Sequence, residues 1–298
     1  MKNHPFYFST GYKRLLACKN NSLIVAQLYE ELGMNSYARR IINCSPDIKC
    51  FLVNAGTDSE YYSFLSESQC RSRHCTLCQL FRSMRMRRLL QTRLHPNMKS
   101  IFLTLTQQNC KFEDLASELD KINYGFKLFW NGIQRKSDKP FVGCFRSTEV
   151  SVESKRYGYF HPHLHLLVHV VPDYFYTYRE KGYDCSWLSN QWRNYLNLDY
   201  NPIVHISGVK DRKAILEVSK YVTKPASYKF SNPSEILKHL HFGLHRRKLF
   251  NTAGTIREII GAAVDSIDDD SSTKELTRIG DNNPDFSIVW NGENWRVD

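Results

Sequence analysis

Apolar and polar positions alternate along several stretches of the chain and recur with helical spacing in others. Ile101-Phe102-Leu103-Thr104-Leu105-Thr106 predicts a strand, rich in β-branched and apolar residues. Leu115, Leu119, Ile122, Phe126, Leu128 and Phe129 then fall at helical spacing, with Asn131-Gly132 as the expected stop. Phe141 to Val152 predicts a second strand. Phe145, Ser147, Glu149 and Ser151 share one face of it, Thr148 and Val150 take the other, and Glu153 continues the Glu149 face. A turn at Lys155-Arg156-Tyr157-Gly158 leads into Phe160 to His169, so these two strands should form a hairpin. Trp187, Leu188, Trp192 and Tyr195 suggest a helix that covers the sheet, and Pro202 to Ile206 another strand. Asp211 to Lys224 reads as a short helix ended by Pro225. Upstream, Ser22 to Ile42 is expected to be helical with a break at Gly33. At the other end, Phe286 to Val297 predicts a hairpin turning at Asn291-Gly292.

The hairpin's second strand carries His161, His163, His165 and His169. Side chains at i and i+2 share a face and stand roughly 6.6 Å apart. His163 and His165 can therefore converge on one ion, whereas His161 and His165, roughly 13 Å apart, cannot easily do so. Hairpin pairing brings Glu149 beside them as an oxygen ligand, with Glu153 as the alternative. Mixed nitrogen and oxygen donors suit Mg²⁺ or Mn²⁺. His161 and His169 are left with supporting roles. The competing interpretation is a histidine-rich strand with no ligand at all. Glu217, Lys220, Tyr221 and Lys224 fall at i, i+3, i+4 and i+7, on one face of the later helix. A phenol with a reference pKa near ~10 needs help to act as a nucleophile. A metal-held phosphate and the two lysines would supply that help, Tyr221 would attack the phosphorus, and Glu217 could activate a water or a 3′-OH for a second step. An exposed Glu–Lys surface explains the same spacing without chemistry.

Charge strengthens the reading. The net charge is +11, but residues 261–298 carry 9 acidic and 3 basic residues, which leaves +17 on the rest. A positive body favours nucleic acid as partner. Between Cys70 and Lys99 there are seven arginines, one lysine and no acidic residue. Leu77, Leu80, Phe81 and Met84 give this stretch one apolar helical face, so Arg71, Arg73, Arg82, Arg85 and Arg88 are expected along DNA phosphates. Just before it, Cys70-Arg-Ser-Arg-His-Cys75-Thr-Leu-Cys78 holds three of the chain's 9 cysteines. An odd, crowded set argues for Zn²⁺ rather than disulfides. The fourth ligand is expected from Cys44 or Cys50, because His74 adjoins Cys75. No apolar segment approaches 18 residues and no signal-peptide core opens the chain, so a cytoplasmic protein without membrane contact is expected.

Three ordered motifs, Phe102-Leu-Thr-Leu-Thr106, His161-Pro-His-Leu-His-Leu-Leu167 and Glu217-Val-Ser-Lys-Tyr-Val-Thr-Lys224, resemble those of rolling-circle replication initiators. Together with the cysteine segment and Arg146-Ser-Thr-Glu-Val150, the chain is similar to the Rep_1 family of bacterial plasmids, within the HUH endonucleases. The resemblance runs from about Arg40 to Lys224, more weakly to Ile260. It implies an α+β fold: an antiparallel-sheet HUH core, ferredoxin/RRM-like with helices on one side, preceded by a cysteine-rich zinc-binding region. The domains expected are 1–97 (helical, zinc-binding, basic), 98–230 (nicking and joining) and 231–298 (an extension with an acidic linker at Asp268-Asp-Asp270 and the terminal hairpin). It implies a metal-dependent nickase that cuts one strand at a plasmid's double-strand origin, leaving a 5′-phosphotyrosine and a free 3′-OH, and later rejoins the strand. By the same resemblance the metal pair is His163 and His165, the nucleophile Tyr221 and the water-activating residue Glu217. The Arg40-x-x-x-Cys44 pattern favours Cys44 over Cys50 in the zinc set. Lys220 and Lys224 would touch DNA. Duplex and single-stranded origin DNA are the implied partners, with host helicase, polymerase and a second protomer as candidates. Thr76 departs from a family proline, Leu80-Phe81 from a position often holding tryptophan, and Ala226-Ser227 lacks a common acidic residue. A transposase or mobilisation relaxase would share the chemistry, and a zinc-dependent DNA-binding regulator would need none of it.

Overall fold

The computed structural model describes residues 4–53, 61–94, 98–136, 138–153, 156–178, 183–209, 231–268 and 284–298. The chain divides into two compact units, one within Met1–Arg85, Tyr228–Leu237 and Asp270–Asp298, the other within Met86–Ser227 and Lys238–Asp269. Segment 231–298, expected as a single extension, thus contributes to both. The architecture is mixed α/β with two antiparallel sheets.

In the first unit, α1 (Thr10–Glu31) starts at Ser9, whose Oγ accepts from the Tyr12 N–H at 3.1 Å. It stops where Gly33 takes a φ of +72°, and α2 (Asn35–Ile42) follows, which is the predicted break. Strands β1 (Asp47–Val53) and β2 (Tyr61–Leu65) were not legible in the sequence. They pair with the terminal hairpin β9 (Phe286–Trp290) and β10 (Trp295–Val297) in the order β10-β9-β1-β2. Asn291 Oδ1 accepts from the Glu293 and Asn294 N–H groups at 3.1 and 2.7 Å, closing the hairpin with Gly292 at a φ of +101°. The basic segment forms α3 (Thr76–Arg93), in which the boundary between the two units falls.

The second unit is built on β3 (Ser100–Thr106), β4 (Cys110–Lys111), β5 (Phe141–Val152), β6 (Tyr159–Val170), β7 (Val204–Gly208) and β8 (Phe250–Ala253). Their order is β7-β3-β6-β5-β8, with β4 alongside the start of β6. Helices α4 (Leu115–Gln134) and α5 (Cys185–Leu196) cover one face. Ile101, Leu103, Leu105, Leu164, Leu166 and Val168 point into that core, against Phe126, Phe129 and Trp192. Each such side chain contributes roughly 1.5–3 kcal/mol by leaving water. Helix α4 runs through Asn131-Gly132 rather than ending there. A Cβ on Gly132 would overlap the Tyr195 hydroxyl, and one on Gly125 the Leu196 side chain, so these glycines permit close packing of α4 on α5. Arg146 also lies on this face, fully buried, with its guanidinium 4.9 Å from the Phe126 ring centre and its pKa pushed down to about 10 by burial.

Helices α6 (Pro233–Leu244) and α7 (Gly254–Asp268) complete the described elements. Gly143 shares a face with Phe145 and Glu149, and its missing Cβ would meet Thr255 and Ile256. Helix α7 therefore packs on the face opposite α4 and α5, at the β8 edge, where Phe145, Phe250 and Thr252 are buried. The sheet is covered at that corner on both sides, not on one side as the resemblance implied. Asp268, expected in a solvated linker, is instead buried, and its Oδ2 accepts from the Leu249 N–H at 3.2 Å. An acidic run seen in isolation hides this, because the partner is a backbone amide nineteen positions away in the chain. Among the described residues no helix is long and apolar enough to cross a membrane.

The turn from β8 into α7 makes a specific demand. Gly254 has a φ of +56°, and an added Cβ would collide with the Val142 carbonyl. Replacing Gly254 with alanine is expected to lower unfolding stability by about 1–3 kcal/mol, measured by urea denaturation. An unchanged midpoint would contradict this account of the corner.

Candidate metal centres

The hairpin register sets the first centre. Glu149 lies opposite His163 and Ser147 opposite His165, so all four side chains stand on the face away from α4 and α5. Glu149 Oε2 is 3.0 Å from His165 Nε2 and 3.5 Å from His163 Nε2, and the two imidazole nitrogens are 3.0 Å apart. The three donor atoms thus form a compact triangle on buried side chains. Metal–ligand bonds of about 2.1 Å at right angles would place donors about 3.0 Å apart, so the triangle has the spacing that three neighbouring ligands of one octahedral ion would need.

Neighbours fix the imidazoles. His163 Nδ1 lies 3.3 Å from the His161 carbonyl. A carbonyl only accepts, so Nδ1 carries the proton and the Nε2 lone pair points to the centre. His165 Nδ1 is 3.2 Å from Thr104 Oγ1, and its ring stacks on Phe102 with centroids 5.4 Å apart. Thr104 sits opposite His165 on β3. Its strand is evident from the sequence but its role is not, because a single threonine in an alternating strand carries no pattern of its own.

Glu153, the alternative ligand, is drawn elsewhere. Its Oε2 accepts from Asn109 Nδ2 at 2.6 Å, and Asn109 Oδ1 is 2.7 Å from His161 Nδ1. Burial, then the neighbouring His163, lower the His161 pKa against the pull of Glu153 and Glu149. His169 is 1% exposed and burial pushes its pKa down to about 4. It is buried in the core, which removes phosphate contact from the supporting roles open to it.

The second centre joins Cys44, Cys70, Cys75 and Cys78, whose sulfurs all lie within 4.8 Å of one another. Cys78 Sγ is 3.4 Å from Cys44 Sγ and 3.5 Å from Cys70 Sγ. Four sulfurs bound tetrahedrally at about 2.3 Å would stand about 3.8 Å apart, so the cluster fits such an ion with little movement. The Cys70 thiol lowers the Cys44 pKa by hydrogen bonding to it. Cys50 is elsewhere, its thiol pushed up to about 12 by burial. Four thiolates around a divalent ion leave excess negative charge, and Lys19 is placed to offset it. Lys19 is buried, and its Nζ donates to the Cys44 and Ile42 carbonyls at 2.7 and 3.0 Å. Thr76 donates to the Cys18 carbonyl at 2.5 Å, and Ser22 Oγ lies 3.4 Å from Cys75 Sγ, so α1 buttresses the knuckle.

The arginines do not form one exposed row. Arg71 is exposed and Arg73 and Arg88 half-buried, while Arg82 and Arg85 are buried. Helical spacing alone did not distinguish them, because α3 buries more than its leucine face. Glu217, Lys220, Tyr221 and Lys224 lie outside the described residues.

The cysteine geometry separates two variants. Cys44→Ser should strip bound metal from the purified chain, measured by elemental analysis, whereas Cys50→Ser should retain it. Equal retention in both would contradict the assignment of the cluster.

The family model described as "Replication protein", Rep_1, matches residues 63–295. The chain is 27% identical over 252 residues to "Protein rep" of Streptococcus pneumoniae, covering 80% of this chain and 76% of that protein. It is 28% identical over 286 residues to "Protein rep" of Lentilactobacillus hilgardii, covering 85% and 88%. A "Replication protein" of Staphylococcus aureus is 31% identical over 176 residues, 55% of this chain and 73% of that protein. No solved structure matches. The family-model match, over most of the sequence, shows that the chain belongs to the Rep_1 family of replication proteins.

Proposed function

We propose that this protein starts and ends rolling-circle replication of a plasmid by nicking and rejoining one strand of origin DNA, as an HUH endonuclease. The Glu149–His163–His165 triangle, in a chain of the Rep_1 family, carries the reading. Its three donors fit a divalent ion, and imidazole nitrogens favour Mn²⁺ over Mg²⁺. Bound there, the ion would polarise the scissile phosphate by taking one of its non-bridging oxygens. The chain's own residues do the rest. Thr104 and the His161 carbonyl hold the two imidazoles in the orientation that aims Nε2 outward. The Tyr221 phenol attacks the phosphorus in line, the bond to the 3′-oxygen breaks, and that oxygen leaves as a 3′-OH after taking a proton. The 5′-phosphotyrosine conserves the phosphodiester energy, and attack by a 3′-OH reverses the step and frees the tyrosine. Lys220 and Lys224 lie within one turn of Tyr221 on the predicted helix and would hold flanking phosphates. Glu217, one turn before Tyr221, would take the proton from water or a 3′-OH at termination.

The sheet around the triangle is read as the ferredoxin/RRM-like HUH core. The Cys44–Cys70–Cys75–Cys78 cluster is read as a structural zinc site that braces the basic region, with Arg71, Arg73 and Arg88 closest to a role at phosphates and Arg82 and Arg85 packed behind them. Helicase, polymerase and a second protomer would join at the origin.

The reading makes two linked predictions. Tyr221→Phe should abolish Mn²⁺-dependent nicking of a supercoiled plasmid that carries the origin, together with the SDS-resistant protein–DNA adduct, while gel-shift binding persists. Changing both His163 and His165 to alanine should remove metal-dependent cleavage and leave a folded, DNA-binding chain. Undiminished nicking by Tyr221→Phe would overturn the tyrosine assignment, and undiminished cleavage by the double variant the metal assignment.

A further inference from the structure

The face that carries the metal triangle continues beyond it. On β6, Tyr159, His161, His163 and His165 alternate onto one side of the sheet, each pair roughly 6.6 Å apart. Lys111 of β4 lies opposite Tyr159 and projects from the same side. Arg156, in the turn before β6, lays its guanidinium 3.9 Å from the centre of the Tyr159 ring. The end of the strip is therefore a half-exposed aromatic ring with the Arg156 guanidinium over one face and a second exposed cation, Lys111, beside it.

Between this plane and the triangle stands a polar group with fixed donors and acceptors. Asn109 Nδ2 donates to Glu153, because a carboxylate only accepts, so Asn109 turns Oδ1 towards His161. Oδ1 accepts, which makes His161 Nδ1 the donor and turns the Nε2 edge of the ring away from Asn109. His161 Nε2 has no hydrogen-bond partner among the described residues. Asn109 is itself held on both sides: the Gln108 N–H donates to the Tyr200 hydroxyl at 2.7 Å, and Cys110 is paired with Phe160 in the sheet. The asparagine is thus braced before any ligand arrives.

We propose that this strip is a track for single-stranded DNA beside the cleaved bond, with Tyr159 as a stacking platform and Asn109–His161 as a reader of the neighbouring base edge. The inference rests on the nicking reading for its position relative to the scissile phosphate. Aromatic planes flanked by lysine and arginine bind successive unpaired bases with little regard to sequence, while the cations follow the backbone. His161, one step from His163, lies about one nucleotide from the metal-held phosphate, and Tyr159 about two. The Nε2 edge of His161 and the remaining hydrogen-bonding capacity of Asn109 face a base at that first step, so discrimination among bases is expected there. A duplex could not use the ring, because its bases are already stacked on each other. Single-stranded DNA, not duplex, is the ligand.

Two measurements on the full-length protein test it. The first is fluorescence anisotropy with a labelled dT20 oligonucleotide, without added Mg²⁺ or Mn²⁺. Tyr159→Ala should bind about 5- to 150-fold more weakly than wild type, the range that loss of one base–aromatic stack gives, and Tyr159→Phe should bind within about twofold. Equal binding by Tyr159→Ala, or no binding by wild type, would overturn the track. The second captures covalent adducts from a random single-stranded library and reads the base frequencies around the cleaved bond. Asn109→Ala should flatten the preference within two nucleotides of the cut and leave more distant positions unchanged; an unchanged preference would overturn the reader. Absence of adducts from wild type would remove the nicking reading, while the dT20 contrast would still decide the track.

Discussion

The register between β5 and β6 is the constraint on which the rest depends. Glu149 opposite His163 puts a carboxylate and two imidazoles on one side of the sheet, and Leu164, Leu166 and Val168 on the other. A slip of one residue would turn the histidines into the apolar core and the leucines to the open face. The burial of those leucines under α4 and α5 therefore holds the metal triangle in place, and core packing and site geometry are one interaction seen from two sides. Hydrophobic energy sets the register, and the register sets the donor distances of 3.0 to 3.5 Å.

The same logic explains what was legible in the sequence. The alternation in β3, β5 and β6 is clean, so the hairpin, the face shared by Glu149, Ser147 and Phe145, and the pairing of Glu149 with the histidines could be read from period two. The Asn-Gly at 291–292 announced the terminal turn, and Gly33 the break between α1 and α2. Local pattern failed where the partner is distant. Nothing near Asp47–Val53 shows that it will pair with Phe286–Trp290, and nothing near Asp268 shows that it will accept from Leu249. Asn131-Gly132 looked like a stop, but Gly132 is present because the Tyr195 hydroxyl occupies the space a side chain would need.

The two metal centres differ in how they were reached. Cys70, Cys75 and Cys78 are close in sequence and could be grouped by spacing alone, while the fourth ligand could not: Cys44 and Cys50 are equally plausible by distance along the chain. The structure brings Cys44 to the cluster, with its carbonyl tied to the buried Lys19 ammonium. In the histidine centre, the competitor Glu153 is committed to Asn109, and among the described residues it is Glu149 that reaches both Nε2 atoms. Second neighbours such as Thr104 and Asn109 are silent in the sequence, because a single threonine or asparagine carries no pattern.

The central claim is that Glu149, His163 and His165 together bind one divalent ion. Calorimetric titration of the full-length chain, as purified with its cysteine cluster intact, with Mn²⁺ tests it most directly, in wild type, Glu149→Ala and Glu153→Ala. The account predicts one ion per chain in wild type, a loss of at least about tenfold in affinity for Glu149→Ala, which is about 1.4 kcal/mol, and wild-type affinity for Glu153→Ala. Wild-type affinity in Glu149→Ala would contradict it.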